Sequence, residues 1–352
     1  MTNSEAQRKQ PVIAVYGANG HTGGYLLTDL HRRGLTPILV GRNADRLRAA
    51  ADAAGLPDAV IRVADLNDRA ALIAAFRGAD VVISSLPAYV EIGEPILAAA
   101  IDAGAHYTDI SGEQLFLRRV LDEYGTRAEN AGVTVVSGIT DSNLSGDLLA
   151  HLATRRVTGP AEVILSHLSR SGGNGSKGSA KTILASLDWF LSGGWHYEGG
   201  EFRTGPVARY TEITFPDSTT PTQVAKFAQP PVLTIPRHSD VSYVAGALDV
   251  EILGHLSGFT PAALDDMPDA PDADLRYYLV ADVFGVDGGV VRGLVSGVDS
   301  YRDSALMAVE AAVRLADGTA KPGALAPAEA FDAEDFLNSL APHGITWQIT
   351  PQ

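Results

Sequence analysis

The sequence predicts an α/β fold, in which a Rossmann doubly wound parallel sheet carries an inserted α/β substrate domain with a mixed or antiparallel sheet. Residues 1–140 alternate short Val/Ile-rich runs with Ala/Leu-rich stretches of helical period, as βαβ units do. A glycine-rich segment follows the first of these runs and opens a helical stretch. The length of 352 residues exceeds one typical domain of about 150 residues. These observations together predict two domains.

The elements of the first domain follow from their local patterns. Runs dominated by β-branched residues predict strands at residues 12–16, 37–40, 60–63, 81–84, 106–109 and 133–136. Amphipathic stretches between them predict helices at residues 24–33, 43–54, 69–76, 93–103 and 113–131. This strict alternation is the order that a doubly wound sheet requires.

After Gly138 the pattern changes to Gly-, Ser- and Thr-rich segments with longer spacing, which indicates more antiparallel strands. A Pro/Asp-rich run predicts a surface loop away from the active site at residues 260–274, and a strand pair follows at 275–284 and 289–298. Helical patterns at 300–317 and 326–340 predict helices that return to the first domain. We expect a Rossmann domain at residues 10–140 plus 299–345 and an inserted substrate or dimerisation domain at residues 141–298.

Composition excludes several classes of function. The formal charge of -15, from 42 acidic and 27 basic residues, repels phosphate backbones, so we expect no nucleic-acid partner. The absence of cysteine excludes disulfides, thiolate catalysis and Cys-ligated metals. No apolar stretch reaches the roughly 18 to 20 residues of a membrane span, and the polar start is unlike a signal peptide. We therefore expect a cytoplasmic protein without a membrane span. We also expect a homodimer, because homodimers are the commonest oligomers of soluble proteins.

The glycine-rich segment predicts a dinucleotide-binding loop. Gly17 permits a tight turn, Gly20 lets the backbone approach a pyrophosphate, and Gly23 allows close helix–strand packing. A preceding strand and a following helix supply the context that the motif needs; an ordinary glycine turn is the alternative. The neighbouring candidates for cofactor contact are Asn19, His21 and Thr22.

The end of the second predicted strand indicates NADP(H) rather than NAD(H). An acid at this position bonds the ribose 2′-hydroxyl and repels a 2′-phosphate. This chain has Arg42 there, followed by Asn43, and Arg46 lies one turn later. A guanidinium forks two donors onto phosphate and stacks on adenine. A solvated arginine beside an Asn43 helix cap is the alternative.

Two further strand ends supply cofactor candidates. Asp65 ends the third predicted strand, where its carboxylate is placed to accept the adenine amino group; capping of the next helix is the alternative. Ser85, Leu86 and Pro87 follow the fourth strand, beside the expected nicotinamide ribose, unless they form an ordinary strand-to-helix loop.

At this point the chain resembles a known family, the saccharopine dehydrogenase-like oxidoreductases, and among them the short members that include trans-acting enoyl reductases. The matching segments are VYGANGHTGG at 15–24, LVGRNADRL at 39–47, GAHYTDISGE at 104–113, DSNLSGDLL at 141–149, SRSGGNGS at 169–176 and PAEAFDAEDFL at 327–337. The resemblance implies an NADP-binding Rossmann domain, an inserted substrate domain and returning C-terminal helices. Family members often carry Thr-Gly-Tyr where this chain has Asn19-Gly20-His21, so His21 either reaches the cofactor or lies at the surface; we favour the surface.

The chemistry available is hydride transfer without a metal. No tyrosine precedes a lysine by four residues, which excludes the short-chain dehydrogenase scheme, and the scattered histidines make a metal site unlikely on sequence grounds. Tyr107 and Glu113, at the carboxyl end of the fifth strand, are candidate proton donors, with core packing and helix capping as the alternatives. Asp141 follows the sixth strand and is the next candidate. Lys177 and Lys181, one helical turn apart beside a glycine-rich stretch, are candidates to hold an anionic or carbonyl-bearing substrate.

The leading hypothesis is an NADPH-dependent reductase that transfers hydride to a polarised double bond, a conjugated C=C of a small or carrier-borne metabolite. One alternative is an imine (C=N) reductase or amino-acid dehydrogenase of the saccharopine dehydrogenase type. Another is a non-enzymatic NADP-binding redox sensor or scaffold.

Overall fold

The structure, a computed structural model, describes residues 10–169, 175–205, 209–265, 267 and 276–352. Its strands are, in chain order, β1 (Ile13–Tyr16), β2 (Ile38–Gly41), β3 (Val60–Val63), β4 (Val81–Ser84), β5 (His106–Asp109), β6 (Thr134–Val136), β7 (Ala161–Ser169), β8 (His196–Glu198), β9 (Glu201–Arg203), β10 (Glu212–Ile213), β11 (Thr222–Phe227), β12 (Val241–Asp249), β13 (Tyr277–Phe284), β14 (Val290–Gly297), β15 (Gly323–Ala324) and β16 (Thr346–Pro351). Its α-helices are α1 (His21–Arg32), α2 (Ala44–Ala53), α3 (Arg69–Phe76), α4 (Tyr89–Ile92), α5 (Glu94–Asp102), α6 (Gln114–Glu123), α7 (Gly125–Ala131), α8 (Asn143–Thr154), α9 (Lys177–Ala185), α10 (Leu187–Leu191), α11 (Val250–Ser257), α12 (Ser300–Ala316), α13 (Pro327–Ala330) and α14 (Ala333–Ser339).

The first sheet is parallel and doubly wound, as predicted. Its strand order is β15-β6-β5-β4-β1-β2-β3, so that the order reverses between β1 and β4. Each of the six predicted strands is present within one residue of its expected bounds. In open α/β sheets, ligands bind outside the carboxyl ends of the strands at such a reversal. The topology therefore places a crevice beside the glycine-rich loop.

The second sheet is mixed, which confirms the expected character of the remaining chain. Its order is β10-β11-β12-β7-β13-β14-β16, with β8 and β9 attached to β12. The central pair β7 and β12 is parallel, and the other pairs are antiparallel. Strands β13 and β14 form the predicted hairpin. The last strand of the described chain, β16, thus extends the second sheet.

The helix predicted at residues 113–131 is wrong as a single helix. The chain forms α6 and α7, which meet at Tyr124. The Tyr124 ring is buried, and its hydroxyl donates to Glu94 Oε1 at 2.7 Å. The helix breaks where the Tyr124 side chain bonds α5. The periodic spacing of apolar residues continues across the break, which is why the sequence predicts one helix. Helix α1 also begins earlier than predicted, at His21 instead of residue 24.

One hydrophobic core joins the two sheets. It contains Leu26 of α1, Leu148 of α8, Met307 of α12 and Leu165 of β7, all without solvent exposure. Helix α12 packs along α1, as predicted for a returning helix, whereas α13 and α14 pack on α8. Helix α8 packs on β7, β13 and β14 of the second sheet, and α12 packs on β4 and β5 of the first. Because Ser145 of α8 contacts Met307 of α12, the two helices connect the sheets.

A buried acid–base pair anchors α8. Asp147 is completely buried, and its Oδ2 lies 2.9 Å from His238 Nε2. Its Oδ1 accepts a hydrogen bond from Ala328 N at 2.8 Å, which ties α8 to α13. Burial opposes both charges, but the attraction between the two side chains prevails, so the pKa of His238 is raised and the pKa of Asp147 is lowered. The pair joins α8 to the turn before β12.

Candidate functional site

A cleft formed by two adjoining cavities, of about 550 and 710 Å³, opens at the carboxyl ends of the first sheet. The smaller cavity lies against the ends of β1 and β2, and the larger one lies against the start of α1 and the loops after β4, β5 and β6. The residues that line both are Asn19, Leu86, Pro87 and Lys181. The cleft is thus long enough to place several strand-end residues along one ligand.

The glycine loop packs so closely against neighbouring backbone that side chains cannot fit at two of its positions. Gly17 has a φ of +89°, and a Cβ there would lie 2.2 Å from the carbonyl oxygen of Ser85. A Cβ at Gly23 would lie 2.4 Å from the carbonyl oxygen of Gly17. Both contacts are shorter than real Cβ atoms show. The two glycines therefore let α1 start directly against the ends of β1 and β4.

The start of α1 is suited to an anion. Its N-cap residue, Gly20, offers no side-chain acceptor, and no acid lies in the first turn. By contrast, side chains cap α2, α3 and α9, from Asn43, Asp68 and Ser176. The first amide groups of a helix have no partner within the helix, and a phosphate satisfies them. His21 and Thr22, at this start, line the larger cavity with Gly20.

The end of β2 provides a guanidinium and no acid. Arg42 lines the smaller cavity beside Gly41, and Arg46 lines the larger one. Asn43 does not face either cavity; its Oδ1 accepts from Arg46 N at 2.9 Å and caps α2. Arg42 also lowers the pKa of Tyr16, although burial dominates and leaves that pKa raised. A 2′-phosphate at this end of the cleft would meet Arg42 rather than a carboxylate.

Asp65 is not among the residues that line either cavity. Its exposed carboxylate accepts from Asn67 N at 2.9 Å and from Asn67 Nδ2 at 3.0 Å, which closes a local turn. Asp68, not Asp65, caps α3. The next residue, Leu66, is the one that lines the smaller cavity. Apolar surface of Leu66, and not the Asp65 carboxylate, therefore borders the cavity at this position.

Ser85, Leu86 and Pro87 line the cleft where β4 ends. The Tyr89 hydroxyl fixes this loop, because it donates to Ser84 O at 2.7 Å and accepts from Leu86 N at 3.0 Å. The loop continues into Ala88, whose φ of 50° lies in the left-handed region. Its amide donates to Thr182 Oγ1 of α9 at 3.0 Å. The loop thus joins the first sheet to α9.

His21 lies in the wall of the cleft, so the expectation of a surface position is wrong. Its ring packs edge-on against Tyr25 and Tyr301, with centroids 5.3 and 4.9 Å apart. The Tyr25 hydroxyl donates to Asp299 Oδ2 at 2.8 Å. Partial burial lowers the pKa of His21, while Asp299 opposes that shift. His21 is therefore a neutral aromatic wall residue near neutral pH.

Two of the candidate proton donors, Tyr107 and Glu113, are buried and do not line the cleft. Tyr107 has no exposed surface, and burial raises its pKa well above 10.0. Glu113 is 1% exposed; its Oε2 accepts from Tyr89 N at 2.6 Å and its Oε1 from Ser186 Oγ at 3.3 Å. Burial raises the pKa of Glu113 to about 7. Neither side chain reaches a ligand in the cleft, and Glu113 instead binds the loop before α4 to the start of α10.

Asp141 does face the larger cavity. Its Oδ2 lies 3.0 Å from His167 Nε2, and its Oδ1 accepts from Ser304 Oγ at 3.3 Å. The Asp141 amide donates back to Ser304 Oγ at 2.9 Å. The His167 side chain is 26% exposed, whereas that of Asp141 is 7% exposed. A path for a proton therefore runs from solvent through His167 to a carboxyl group on the cavity wall.

A second acidic side chain, Asp303, lies close enough to Asp141 for their charges to interact. Asp303 is completely buried, and its Oδ2 accepts from Tyr277 OH at 3.2 Å. Burial raises the pKa of Asp303 to about 6, although Arg302, 2.7 Å away from its Oδ1, opposes this. The Tyr277 ring also packs against His167, with centroids 5.8 Å apart. His167 and Ser304 were missed in the sequence because no local motif marks them.

Helix α9 brings Lys177 and Lys181 to the cleft. Lys177 lines the larger cavity, and Lys181 lines both. The preceding residues 170–174 of the predicted glycine-rich loop lie outside the described residues. Part of the stretch predicted as a loop is therefore helix, with Ser176 as its N-cap.

The far wall of the larger cavity is apolar. It consists of Ile183, Phe190, Phe227 and Leu256, and the rings of Phe190 and Phe227 stack with centroids 5.2 Å apart. Leu264 lines the smaller cavity, so the run predicted as a surface loop away from the site contributes to it. Residues 266 and 268–274 of that run are outside the description.

The aromatic residues at 195–197 do not line either cavity. Trp195 packs on Trp189, with ring centroids 4.5 Å apart, and its amide donates to Gln114 Oε1 at 2.9 Å. Local sequence identified the right residue types but could not say which of them border the cleft.

The residues that form the first sheet match a known family. Residues 13–136 fit the profile of the saccharopine dehydrogenase NADP binding domain. This segment is a saccharopine dehydrogenase NADP-binding domain. The resemblance inferred from the sequence is confirmed. The glycine loop and Arg42 lie within this NADP-binding domain.

Relatives at the sequence level include trans-acting enoyl reductases. The protein of Mycobacterium ulcerans is 28% identical over 241 residues, which are 67% of this chain and 52% of that protein. The protein of Mycobacterium tuberculosis is 30% identical over 158 residues, 44% of this chain and 37% of that protein. A lipid droplet localized protein of Caenorhabditis elegans is 29% identical over 189 residues, 50% of this chain and 44% of that protein. The chain spans about half the length of these relatives, or less.

Among solved structures, apo saccharopine dehydrogenase (L-Glu forming) of Saccharomyces cerevisiae superposes with a TM-score of 0.62. The superposition covers 97% of this chain and 100% of that chain at 13% identity, so the likeness is one of fold. Within the described residues, no helix is long and apolar enough to cross a membrane. In the same part of the chain, no cluster of His, Asp or Glu side chains is arranged to hold a metal ion.

Proposed function

We propose that the protein is an NADPH-dependent reductase that transfers hydride to a polarised double bond, a conjugated C=C of a small or carrier-borne metabolite. One observation carries the proposal. In a single cleft of two adjoining cavities, the Arg42 guanidinium lines the smaller cavity, and the uncapped start of α1, the Asp141 carboxyl group and apolar side chains line the larger one. Anion recognition and a proton source are thus combined in one site.

The residues of the cleft fit NADP(H). The amide groups at the start of α1 are free of side-chain caps and suit the pyrophosphate, and Arg42 suits the 2′-phosphate. Leu66, Leu86 and Pro87 provide apolar surface for the bases. When bound, the reduced nicotinamide supplies a hydride equivalent.

The remaining residues would act on the substrate. Phe190, Phe227 and Leu256 exclude water from the larger cavity, and Lys177 attracts a carbonyl or carboxylate oxygen. Asp141 faces the substrate position as the candidate general acid–base group, and His167 connects it to solvent. The names of the relatives from Mycobacterium support C=C over C=N as the bond that is reduced.

The test is NADPH oxidation, followed by absorbance, against matched panels of α,β-unsaturated thioesters, enones and cyclic imines. We expect turnover with conjugated C=C compounds and little with imines. Turnover only with imines would favour an imine reductase. Tight NADPH binding without turnover on any panel would favour a redox sensor or scaffold and contradict the proposal.

Arg42→Ala is expected to weaken NADPH binding about 10-fold or more and to leave NADH binding nearly unchanged, because only NADPH carries the 2′-phosphate. The measurement is the ratio of dissociation constants for NADPH and NADH, from protein fluorescence. Arg48→Ala is the control, since Arg48 bonds the carbonyl oxygens of Pro57 and Ala59 and does not line the cleft. An unchanged ratio in Arg42→Ala would contradict the assignment.

A further inference from the structure

Helix α9 covers the dinucleotide cleft although it lies outside the NADP-binding domain of residues 13–136. Lys181, Leu184 and Ala185 border the smaller cavity, which Arg42 also borders. Lys177, Lys181 and Ile183 border the larger one. A ligand that runs along the cleft would therefore have the first sheet on one side and α9 on the other.

Hydrogen bonds hold α9 in this position. Thr182 Oγ1 accepts from Ala88 N at 3.0 Å, which attaches the helix to the loop after β4. The Tyr301 hydroxyl accepts from Ser176 N and bonds Ser179 Oγ, both at 2.7 Å, which attaches the start of α9 to α12. The helix is thus anchored at its first turn and again near its middle.

Lys181 occupies the centre of the cleft. It borders both cavities together with Asn19 of the glycine loop, whereas Arg42 borders only the smaller cavity and Lys177 only the larger one. A dinucleotide carries its pyrophosphate at its middle, between the two nucleosides. The residue that borders both cavities beside the glycine loop is therefore placed at the pyrophosphate.

Charge supports this placement. The chain carries a formal charge of -15, which disfavours a ligand with several phosphate charges. The basic side chains that line the described cleft are Arg42, Arg46, Lys177 and Lys181, and the acidic ones are Glu91 and Asp141. No carboxylate among the described residues lies within ion-pair distance of Lys181, so its charge is available to a ligand.

The other lysines have different surroundings. Lys226 is buried, and its Nζ donates to the carbonyl oxygens of Gly194 and Gly205 at 2.7 Å each. Lys321 is exposed and lies 3.9 Å from Glu329. Lys9 is outside the described residues. The lysines on α9 are thus set apart by their position at the cleft.

We propose that Lys181 binds the pyrophosphate of NADP(H) from the side opposite the glycine loop. The cofactor site then has two parts, the NADP-binding domain and a cation on α9. The inference rests on the proposed function in that it requires NADP(H) as the ligand of the cleft. The pyrophosphate is common to NADPH and NADH, so Lys181 contributes equally to both, in contrast to Arg42.

The experiment is fluorescence titration of the full chain with NADPH and with NADH at two salt concentrations. Lys181→Ala is expected to weaken both cofactors about 10-fold, to leave their affinity ratio unchanged, and to reduce the salt dependence of binding. Lys181→Arg is expected to retain most of the affinity. Lys321→Ala, which removes the same charge at a distance, is the matched control and is expected to bind like the wild type.

The outcomes separate the inference from the proposed function. If the wild type binds NADPH and Lys181→Ala binds both cofactors as tightly, the inference is wrong and the proposed function stands. If Lys181→Ala weakens NADPH alone, Lys181 reads the 2′-phosphate and the pyrophosphate assignment is overturned. If the wild type binds neither cofactor, the proposed function itself fails.

Discussion

Replacement of Asp141 by Asn is expected to lower the rate of NADPH oxidation with a conjugated substrate at least about 100-fold, the usual scale of a lost general acid. Asparagine keeps the shape of the side chain and can still bond Ser304 and His167. It cannot release and regain a proton at this position. Because Asp141 faces the larger cavity and bonds His167, the proton path from solvent ends at its carboxyl group.

The measurement is kcat for the variant and the wild type across a pH series, with NADPH affinity measured in parallel. Unchanged affinity would show that the cleft is intact in Asp141→Asn. Ser142→Ala is the matched control, because Ser142 lines the same cavity without an ionisable group. A kcat within threefold of the wild type in Asp141→Asn would contradict the role of this carboxyl group. His167→Gln is expected to change the pH profile more than the affinity for NADPH.

The groups that face Asp141 determine how that profile is interpreted. His167 of β7 and Ser304 of α12 bond Asp141, and Asp303 of α12 lies close enough for the charges of the two acids to interact. Arg302 and Tyr277 of β13 bond Asp303. Burial raises the pKa of Asp303 to about 6. An inflection that persists in His167→Gln and is lost in Asp303→Asn therefore has Asp303 as its source.

Replacement of Asp147 by Ala is expected to lower the free energy of unfolding by about 3 to 5 kcal/mol, the usual cost of leaving a buried charge without its partner. His238 would lose the carboxylate 2.9 Å from its Nε2, and Ala328 N would lose its acceptor. The effect is large because Asp147 is completely buried. The measurement is urea unfolding at constant pH, with Asp58→Ala, an exposed aspartate, as the control. A loss within 1 kcal/mol would contradict the structural role of the pair.

This destabilisation should depend on pH in a defined direction. The pKa of His238 is raised above its ordinary value of 6.5, so its contribution is complete below 6.5 and disappears as pH rises through its folded-state pKa. The pKa of Asp147 is lowered below its ordinary value of 3.8, so its contribution is present above 3.8 and disappears as pH falls through its folded-state pKa. The difference between wild type and Asp147→Ala should therefore be largest between about pH 4 and 6.5 and smaller above this window.

The sequence predicted the first sheet well, because each strand is a short β-branched run and each helix has its own apolar period. It also located the glycine loop and Arg42, since both lie directly at strand ends. The prediction of a single helix failed at Tyr124. The periodic spacing of apolar residues continues there, but the helix ends where Tyr124 bonds Glu94. Local periodicity does not record such a contact.

The candidate site was predicted less completely. Tyr107 and Glu113 have the right chemistry at the right strand end, but their side chains turn into the interior. The partners of Asp141 could not be found locally, because Ser304 lies 163 residues further along the chain. The sequence analysis favoured a surface position for His21 because its neighbour Tyr301 belongs to α12, far along the chain, and this contact has no local signal.

The sequence by itself therefore determined the fold class, the glycine loop and the replacement of an acid by Arg42 at the end of β2. These features depend on residues adjacent in the chain, whose patterns are read within a few positions. Only the tertiary structure decided which polar groups share the cleft. Helices α9 and α12 and strand β7 reach it through packing between the two sheets, and that packing depends on contacts between distant segments. Lys181, His167 and Ser304 acquire their positions in this way.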